Sequence, residues 1–325
     1  MGDAVVVDGL VKKYGDLTAV AGISFKVREG EIFGFLGPNG AGKTTTIHVL
    51  TTLLKPTAGK AYVNGYDVVK EAAEVRRSIG VVFQDPSLDD QLTAYENMFI
   101  HGKIYGIPTS ELRRRIDGLL GFVELSKFRD VQVKKFSGGM RRRLEIARSL
   151  LHKPKVLFLD EPTLGLDPQT RAHIWEYIRK LRDEEGVTVF MTTHYMEEAE
   201  ALADRVAIID HGKIIAEGTP DELKSIVGNE IIYVKFEPVN GGPPCIPIGE
   251  CRNVSRNEIA LKVWNASEAL PKVFEEAMKL GVRIREVSYK RPTLNDVFLY
   301  LTGREIREEG PESLMKALVV RRRMR

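Results

Sequence analysis

Apolar residues along the chain form short runs that are separated by longer stretches with helical periodicity. Each short run has the length of a strand and ends in polar residues or glycine, so we predict buried strands there. These runs cover residues 32–36, 79–83, 156–159 and 187–193. From residue 92 to residue 128, apolar residues instead recur at i, i+3, i+4 and i+7, which predicts helices. The pattern therefore indicates an α/β fold with a parallel sheet and a helical subdomain at about 89–150.

Three shorter segments within the first 65 residues follow a different pattern, which is typical of antiparallel strands. Residues 4–11 and 23–27 are rich in β-branched residues and are separated by a turn-prone Tyr-Gly-Asp sequence. Residues 60–63 precede an Asn-Gly dipeptide, which is a strong signal for a tight hairpin turn. We therefore expect an antiparallel β subdomain beside the main sheet.

Residues 229–303 form a separate unit, for which we predict a small α+β domain. Three segments have strand character and two have helical character, and a Pro/Gly-rich loop interrupts them. The expected strands are 231–236, 259–263 and 282–288, the expected helices are 267–280 and 294–301, and the loop is 237–250. We interpret the basic tail at 304–325 as a solvated chain end, with docking on a membrane partner or on anionic lipid as the alternative.

Length and composition limit the possible functions. A chain of 325 residues can hold a full α/β core and a second domain, because single cores stop growing at about 250–300 residues. The 48 basic and 45 acidic residues give a net charge of only +3, so nucleic-acid binding is not expected. No apolar run approaches the ~20 residues of a membrane span, and we expect a cytoplasmic chain. Cys245 and Cys251 are expected as loop thiols, with a disulfide or half a metal site as alternatives.

A glycine-rich segment follows the first predicted strand and precedes a predicted helix over residues 44–54. Its glycines allow successive backbone N–H groups to point inward, and the helix start adds the positive end of its dipole, so the segment can bind phosphate. Lys43 can reach the β- and γ-phosphates, and the Thr44 hydroxyl can ligate Mg²⁺. We therefore predict a nucleoside-triphosphate site formed by Gly37, Pro38, Asn39, Gly40, Ala41, Gly42, Lys43, Thr44 and Thr45.

Polar residues stand at the ends of the three other predicted core strands. Gln84 could reach a metal ion or a water beside the γ-phosphate, although a glutamine there is more often a loop hydrogen-bonder. Asp160 and Glu161 end the third strand, and adjacent buried carboxylates are costly unless a metal or hydrogen bonds compensate them. We predict that Asp160 holds Mg²⁺ and that Glu161 is the base for the attacking water. His194 ends the fourth strand, where it could hydrogen-bond the γ-phosphate.

Two further features are candidates for nucleotide contact. Ser137, Gly138 and Gly139 begin an arginine-rich amphipathic helix, where a hydroxyl and backbone N–H groups can bind phosphate oxygens. The alternative for this segment is a simple helix cap. Tyr14 precedes the glycine-rich segment and could stack on an adenine ring, although it could also be an ordinary surface aromatic.

The order of these motifs resembles that of the nucleotide-binding subunits of ABC transporters, over residues 1–225. Phe136 and Met140 depart from the leucine and glutamine that are common in the family signature. Met140 is followed by three arginines, and this feature resembles the daunorubicin-resistance branch of ABC-2 type exporters, as do residues 83–89 and 291–298. The resemblance assigns Walker A to 37–45, the Q-loop to Gln84, the signature to 136–140, Walker B to 156–160, the D-loop to 165–167 and the switch histidine to His194.

The resemblance also implies a fold, a mechanism and partners. It implies a P-loop NTPase core, ATP and Mg²⁺ as ligands, and a nucleotide contact by Asp167. In this family, each ATP lies between Walker A of one subunit and the signature of another, which implies a second ATPase subunit, expected as a homodimer. A separate transmembrane permease is implied as well, with the chain peripheral on the cytoplasmic face of the cell membrane. Export of a drug, lipid or polysaccharide is expected, and a soluble ABC-type ATPase acting on ribosomes or DNA is the alternative.

Overall fold

The computed structural model describes residues 2–228, 230–237 and 243–302. The chain divides into two compact units, and the division lies between Pro220 and Asp221. We call the described residues up to Pro220 the N-terminal unit and those from Asp221 the C-terminal unit. The basic tail at 304–325, with its two interpretations, lies outside the described residues.

The N-terminal unit alternates strands and helices after an initial antiparallel hairpin. Its strands are β1 (Asp3–Tyr14), β2 (Leu17–Arg28), β3 (Ile32–Leu36), β4 (Ala58–Val63), β5 (Tyr66–Asp67), β6 (Ile79–Val82), β7 (Val156–Asp160), β8 (Thr188–Thr193), β9 (Arg205–Asp210) and β10 (Lys213–Gly218). Its helices are α1 (Lys43–Leu50), α2 (Ala72–Ser78), α3 (Ala94–Ile104), α4 (Thr109–Phe122), α5 (Gly138–Ser149), α6 (Pro168–Glu185) and α7 (Met196–Leu202). Short 3₁₀ helices cover Ser126–Phe128 and Val133–Lys135.

A six-stranded sheet in the order β10-β9-β3-β8-β7-β6 forms the centre of this unit. All neighbouring pairs are parallel except β10 and β9, which are antiparallel. Every residue of β3, β7 and β8 is buried, because helices or the antiparallel sheet cover the sheet on both faces. The carboxyl ends of β3, β6, β7 and β8 therefore meet at one edge, and the candidate site residues follow those ends.

The antiparallel sheet and the helical subdomain agree with the sequence-based expectations. The antiparallel sheet has the order β2-β1-β4-β5, and Asn64 and Gly65 take positive φ values of 51° and 80° in the β4–β5 turn. Helices α3, α4 and α5 bury a shared apolar cluster that includes Met98, Leu112 and Leu144. Together with the central parallel sheet, these features confirm an α/β P-loop core with an antiparallel β subdomain and a helical subdomain.

The C-terminal unit is a small α+β fold, as predicted. It contains α8 (Pro220–Val227), β11 (Glu230–Phe236), β12 (Glu250–Ser255), β13 (Glu258–Val263), α9 (Ala266–Lys279), β14 (Ile284–Lys290) and α10 (Leu294–Thr302). Its antiparallel sheet has the order β12-β13-β11-β14, and α9 packs Ala269, Val273 and Ala277 into the same apolar cluster as β11 and β13. Strand β12 was not predicted because its side chains are mostly exposed and polar, so it carries no apolar alternation.

Two expectations about local structure are wrong. The helix predicted over 44–54 ends at Leu50, because the Thr51 hydroxyl donates to the Ile47 carbonyl at 2.8 Å and Thr52 turns into the left-handed region at φ 67°. Cys245 and Cys251 are not free thiols but form a disulfide, which was the alternative left open by the sequence. Gly249 allows this loop to approach β13 closely, because a Cβ there would lie 2.2 Å from the Lys262 carbonyl oxygen.

Within the described ranges, none of the helices combines the length and the apolar character needed to cross a membrane.

Candidate active site

The glycine-rich loop after β3 is held so tightly that two of its glycines have no space for a side chain. A Cβ on Gly37 would lie 2.2 Å from the Ile209 carbonyl oxygen. A Cβ on Gly42 would lie 2.5 Å from the Ala19 carbonyl oxygen, and Gly42 also has a φ of 107°. Helix α1 begins directly after Gly42, so the loop and the helix N-terminus present their backbone N–H groups together.

Lys43 is a buried cation at the start of α1, with 5% of its side chain exposed. Its ammonium donates to the Gly37 carbonyl at 2.8 Å and to the Pro38 carbonyl at 3.1 Å. It also lies 3.2 Å from Glu161 Oε1. Burial lowers the pKa of Lys43 from its ordinary 10.5, although Glu161 opposes this shift. The lysine predicted to bind phosphate is therefore in direct contact with the predicted base.

Asp160 is the last residue of β7, and a hydrogen bond links its carboxylate to the start of α1. The Thr44 hydroxyl donates to Asp160 Oδ1 at 3.3 Å, and the Thr192 hydroxyl donates to the same oxygen. Asp160 is 1% exposed. A hydroxyl and a carboxylate at this spacing fit Mg²⁺, which binds through a few protein oxygens together with substrate phosphates. Among the described residues, no group of three or more His, Cys, Asp or Glu is placed to hold a metal ion.

Glu161 follows β7 in a left-handed backbone conformation, with φ 48°. Its backbone N–H donates to the Thr192 carbonyl at 3.1 Å, which fixes the residue beside β8. His194 Nδ1 lies 3.2 Å from Glu161 Oε1, the oxygen that also contacts Lys43. Burial raises the pKa of Glu161, but the neighbouring His194 ring and the charge of Lys43 outweigh burial, so the pKa of Glu161 lies below its ordinary value of 4.5. Glu161 is thus ionised near neutral pH, as a general base requires.

The sequence reasoning missed Arg142, which links three of the predicted motifs. This arginine is 7% exposed on α5 and donates to the Phe83 carbonyl at 2.7 Å. Its second terminal nitrogen, Nη2, lies 3.4 Å from both the Gln84 carbonyl and the Glu161 carbonyl. The Gln84 side chain itself is exposed, and no hydrogen bond joins it to Asp160 or Thr44 in the part of the chain that the structure describes. Arginine is the residue type that can satisfy several carbonyls at once.

The segment Ser137–Gly139 forms a second group with Asp167. Ser137 caps α5 by accepting from the Met140 N–H at 3.3 Å, so the cap interpretation holds whether or not the segment also contacts nucleotide. Asp167 caps α6 and accepts from the Thr170 N–H at 3.0 Å and from its hydroxyl at 2.6 Å. A Cβ on Gly139 would lie 2.3 Å from Thr170 Cγ2, so the two caps are packed against each other.

The structure thus brings some of the predicted site residues together and leaves others apart. Lys43 and His194 both contact Glu161, and Thr44 contacts Asp160. The Ser137–Gly139 segment and Asp167 form their own group. Tyr14 is 42% exposed, and the Lys12 ammonium lies 5.2 Å from its ring centre.

Comparisons with known proteins identify both units. A family model described as ABC transporter matches residues 20–164, and one described as ATP-binding protein DrrA1-3-like, C-terminal domain, matches residues 218–302. The daunorubicin resistance ATP-binding protein DrrA3 of Streptomyces coeruleorubidus is 43% identical over 304 residues, covering 92% of this chain and 96% of that protein. The chain belongs to the ABC transporter ATP-binding proteins. As a member of this family, the ABC ATPase binds and hydrolyses ATP.

Two further similarities support this assignment. The linearmycin resistance ATP-binding protein LnrL of Bacillus subtilis is 39% identical over 308 residues, covering 93% of this ABC ATPase and 99% of that protein. A solved ATP-binding cassette, described as dimeric in a post-hydrolysis state bound to ADP and Pi, matches with a TM-score of 0.61 and 30% identity. That match covers 66% of the ABC ATPase and 98% of the solved chain. These relatives do not favour the alternative of an ATPase acting on ribosomes or DNA.

Proposed function

We propose that this ABC ATPase powers the export of an antibiotic-like compound through a separate transmembrane permease, at the cytoplasmic face of the cell membrane. The observation that carries the ATP-driven part of this proposal is the contact of Lys43 and His194 with one oxygen of Glu161, beside the Thr44–Asp160 pair. This set contains a phosphate-binding cation, a base and a metal-binding pair within one buried edge of the sheet. Its chemistry matches phosphoryl transfer to water. The export part rests on the resistance proteins among the relatives.

Each residue has a proposed role in ATP hydrolysis. The Walker A segment at 37–45 binds the phosphates through its N–H groups, and Lys43 neutralises their negative charge. Glu161 accepts a proton from the attacking water, and His194 hydrogen-bonds the transferred phosphoryl group. Tyr14 stacks on the adenine ring, and Gln84 contacts the metal or the water.

We also propose that magnesium binds with ATP. Thr44 and Asp160 would hold the ion, with Gln84 as a further oxygen ligand. Bound Mg²⁺ supplies positive charge to the transferred phosphoryl group. Thr192 supports this site because its hydroxyl orients the Asp160 carboxylate.

We propose that one further group acts on the ATP bound to a second copy of the chain. This group consists of Ser137, Gly138, Gly139 and Asp167. Two copies facing head to tail would place this group against the ATP that is bound to the other copy's Walker A segment. The dimeric ATP-binding cassette bound to ADP and Pi supports this arrangement as a model for the chain. We further propose residues 1–225 as the ATPase domain, and residues 229–303 as an accessory domain for dimer contact or regulation.

The relatives supply the first candidate compounds for export. The names of several relatives refer to resistance to daunorubicin, doxorubicin or linearmycin, and those of others refer to Nod factor export. Anthracycline-like antibiotics are therefore the first compounds to test, and lipids or polysaccharides come second.

The experiment that tests this function is drug efflux in cells. The chain is produced together with its permease in a sensitive bacterium, and accumulation of doxorubicin is followed by its fluorescence. Wild-type cells should accumulate less drug than cells carrying the Glu161→Gln variant, because removal of the base lowers hydrolysis by about 100-fold or more. Glutamine has nearly the same size as glutamate, so ATP binding should persist in the variant.

Two outcomes would count against the proposal. Equal accumulation in wild-type and variant cells, across antibiotics and lipid probes, would exclude export driven by this site. Undiminished ATP hydrolysis by the purified Glu161→Gln chain would remove Glu161 from the role of base.

A further inference from the structure

The hydrolysis scheme leaves one fully buried acidic residue without a role. Glu198 lies on α7, four residues after His194, and is 0% exposed. Its Oε1 accepts from the Thr163 hydroxyl at 2.8 Å and from Trp175 Nε1 at 3.1 Å. A buried carboxyl is costly without hydrogen bonds, and here both bonds go to Oε1, since Oε2 is buried with no hydrogen-bond partner among the described residues.

The partners of Glu198 belong to the segments that carry the proposed catalytic groups. Thr163 is 0% exposed and lies two residues after Glu161, in the turn that leads to Asp167. Trp175 lies on α6, which begins directly after Asp167. Glu198 itself lies on the helix that follows His194. A single carboxyl oxygen therefore joins the Glu161 turn, the helix behind Asp167 and the His194 segment.

Glu198 makes these contacts as a hydrogen-bond acceptor and forms no ion pair within the described residues. Burial raises the pKa of Glu198 above its ordinary 4.5, against the hydrogen bonds from Thr163 and Trp175 and the weaker influence of Arg171. The Arg171 guanidinium lies over the Tyr195 ring, 4.3 Å from its centre. A neutral amide of the same shape can accept the same two hydrogen bonds.

We propose that Glu198 is a positioning residue. It fixes the position of the Glu161–Asp167 turn relative to His194 through hydrogen bonds rather than through charge. This inference rests on the hydrolytic roles of Glu161 and His194 proposed above. Small misplacements of catalytic groups cost large factors in rate, since reacting atoms must meet at about 3 Å. Glu198 does not contact nucleotide in this scheme, so its loss affects turnover and leaves binding intact.

Three variants of the full-length chain separate a hydrogen-bonding role from a charge role. Glu198→Gln keeps the acceptor oxygen, Glu198→Ala removes it, and Glu198→Asp keeps the carboxyl but shortens its reach. For MgATP hydrolysis by the purified chain, we expect kcat to fall about 10-fold or more in Glu198→Ala and in Glu198→Asp. We expect Glu198→Gln to stay within about threefold of wild type. KM, and the affinity for a fluorescent ATP analogue, should change less than about threefold in all three.

A second set of variants keeps the test decisive if Glu198→Ala fails to fold. Thr163→Val and Trp175→Phe each remove one donor; valine keeps the shape of threonine, whereas phenylalanine also lacks the pyrrole ring of tryptophan. Each variant should lower kcat by about three- to tenfold. The double variant should lower kcat by less than the product of the two factors, because both hydrogen bonds hold the same turn in place. Equal losses in Glu198→Gln and Glu198→Ala would overturn the proposal, as would normal kcat in Thr163→Val and Trp175→Phe.

The failure of this proposal and the failure of the proposed function give different results. Glu161→Gln serves as the reference, because it removes the base without touching Glu198. Normal hydrolysis in Glu161→Gln would refute the hydrolytic scheme itself. Loss of hydrolysis in Glu161→Gln, with normal kcat in Glu198→Ala, would refute only the positioning role.

Discussion

At the scale of single residues, the site depends on buried charges that compensate one another. The side chains of Lys43 and Glu161 are 5% and 7% exposed and lie 3.2 Å apart. Removal of one partner of a buried pair leaves the other charge uncompensated, which is strongly destabilising. Lys43 also has the carbonyls of Gly37 and Pro38 as acceptors. In Glu161→Gln these two carbonyls still accept from the Lys43 ammonium, so we expect the variant to fold. An apolar substitution of Lys43 would instead leave the buried Glu161 carboxylate with His194 as its one remaining side-chain contact in the site.

The raised pKa of Glu198 predicts that its contribution to the free energy of unfolding decreases as the pH rises. Burial raises the pKa of Glu198 in the folded chain above its ordinary 4.5. A carboxyl with a raised folded pKa binds its proton more tightly when folded, so its stabilising contribution is complete below about pH 4.5. This contribution is lost as the pH rises through the folded pKa. Glutamine does not titrate, so the stability of wild type relative to Glu198→Gln should fall as the pH rises.

Thermal unfolding of the two proteins, compared at several pH values from 4.5 to 8.5, checks this expectation. Other titrating groups are common to both proteins and cancel in the difference. A difference in Tm that stays constant over this range would contradict a raised pKa for Glu198.

The residues of the site were predictable from the sequence only where local pattern determines their position. Asp160 and His194 follow apolar strand segments directly, and strand ends in a parallel sheet meet at one edge. Arg142 was not predictable in this way, because it is one of three consecutive arginines and only the folded structure shows which one is buried. Glu198 sits in a helix with two other acids, Glu197 and Glu200, and only the folded structure shows that it is the fully buried one.

At the scale of elements, the starts of α5 and α6 form one packed unit. Ser137 caps α5 and Asp167 caps α6, and the closest approach between them involves Gly139 and Thr170. The Thr170 hydroxyl is bound to Asp167 at 2.6 Å, so Thr170 cannot turn away without loss of that bond. The pattern of apolar residues predicted the α5 helix and its serine cap. It could not predict the packing against α6, which joins residues distant in sequence.

Gly139→Ala should destabilise the N-terminal unit, and Gly138→Ala is its matched control. The new Cβ at 139 would lie 2.3 Å from Thr170 Cγ2, whereas a Cβ at 138 would lie 3.5 Å from Leu166 Cδ2, an ordinary contact. We expect Gly139→Ala to lower the free energy of unfolding by about 1–3 kcal/mol, as overpacked sites do. Thermal unfolding measures this as a fall in Tm of about 2–4 °C per kcal/mol. Equal Tm values for the two variants would show that Thr170 moves aside freely.

At the scale of the whole molecule, the chain carries each ATP-binding motif once. The Lys43–Glu161–His194 group and the Ser137–Asp167 group are separate within the N-terminal unit, since no hydrogen bond or ion pair joins them among its described residues. A complete ATP site in the proposed scheme needs one group from each of two copies. The fold class and the order of motifs were predictable from the sequence, because each follows from local pattern. A dimer does not follow from local pattern. It was expected only through the family resemblance, and it stays a prediction.

Hydrolysis by the purified chain should therefore depend on protein concentration. Two copies must meet for the Ser137–Asp167 group to reach the other copy's ATP, so the rate per chain should rise with concentration and level off as dimers saturate. The rate is measured at saturating MgATP, with Glu161→Gln as the control that should lower it by about 100-fold or more at every concentration. Light scattering at each concentration gives the mass of the active species. A rate per chain that stays constant in samples with the mass of a monomer would contradict a shared site, and a rate that follows the dimer fraction would support it.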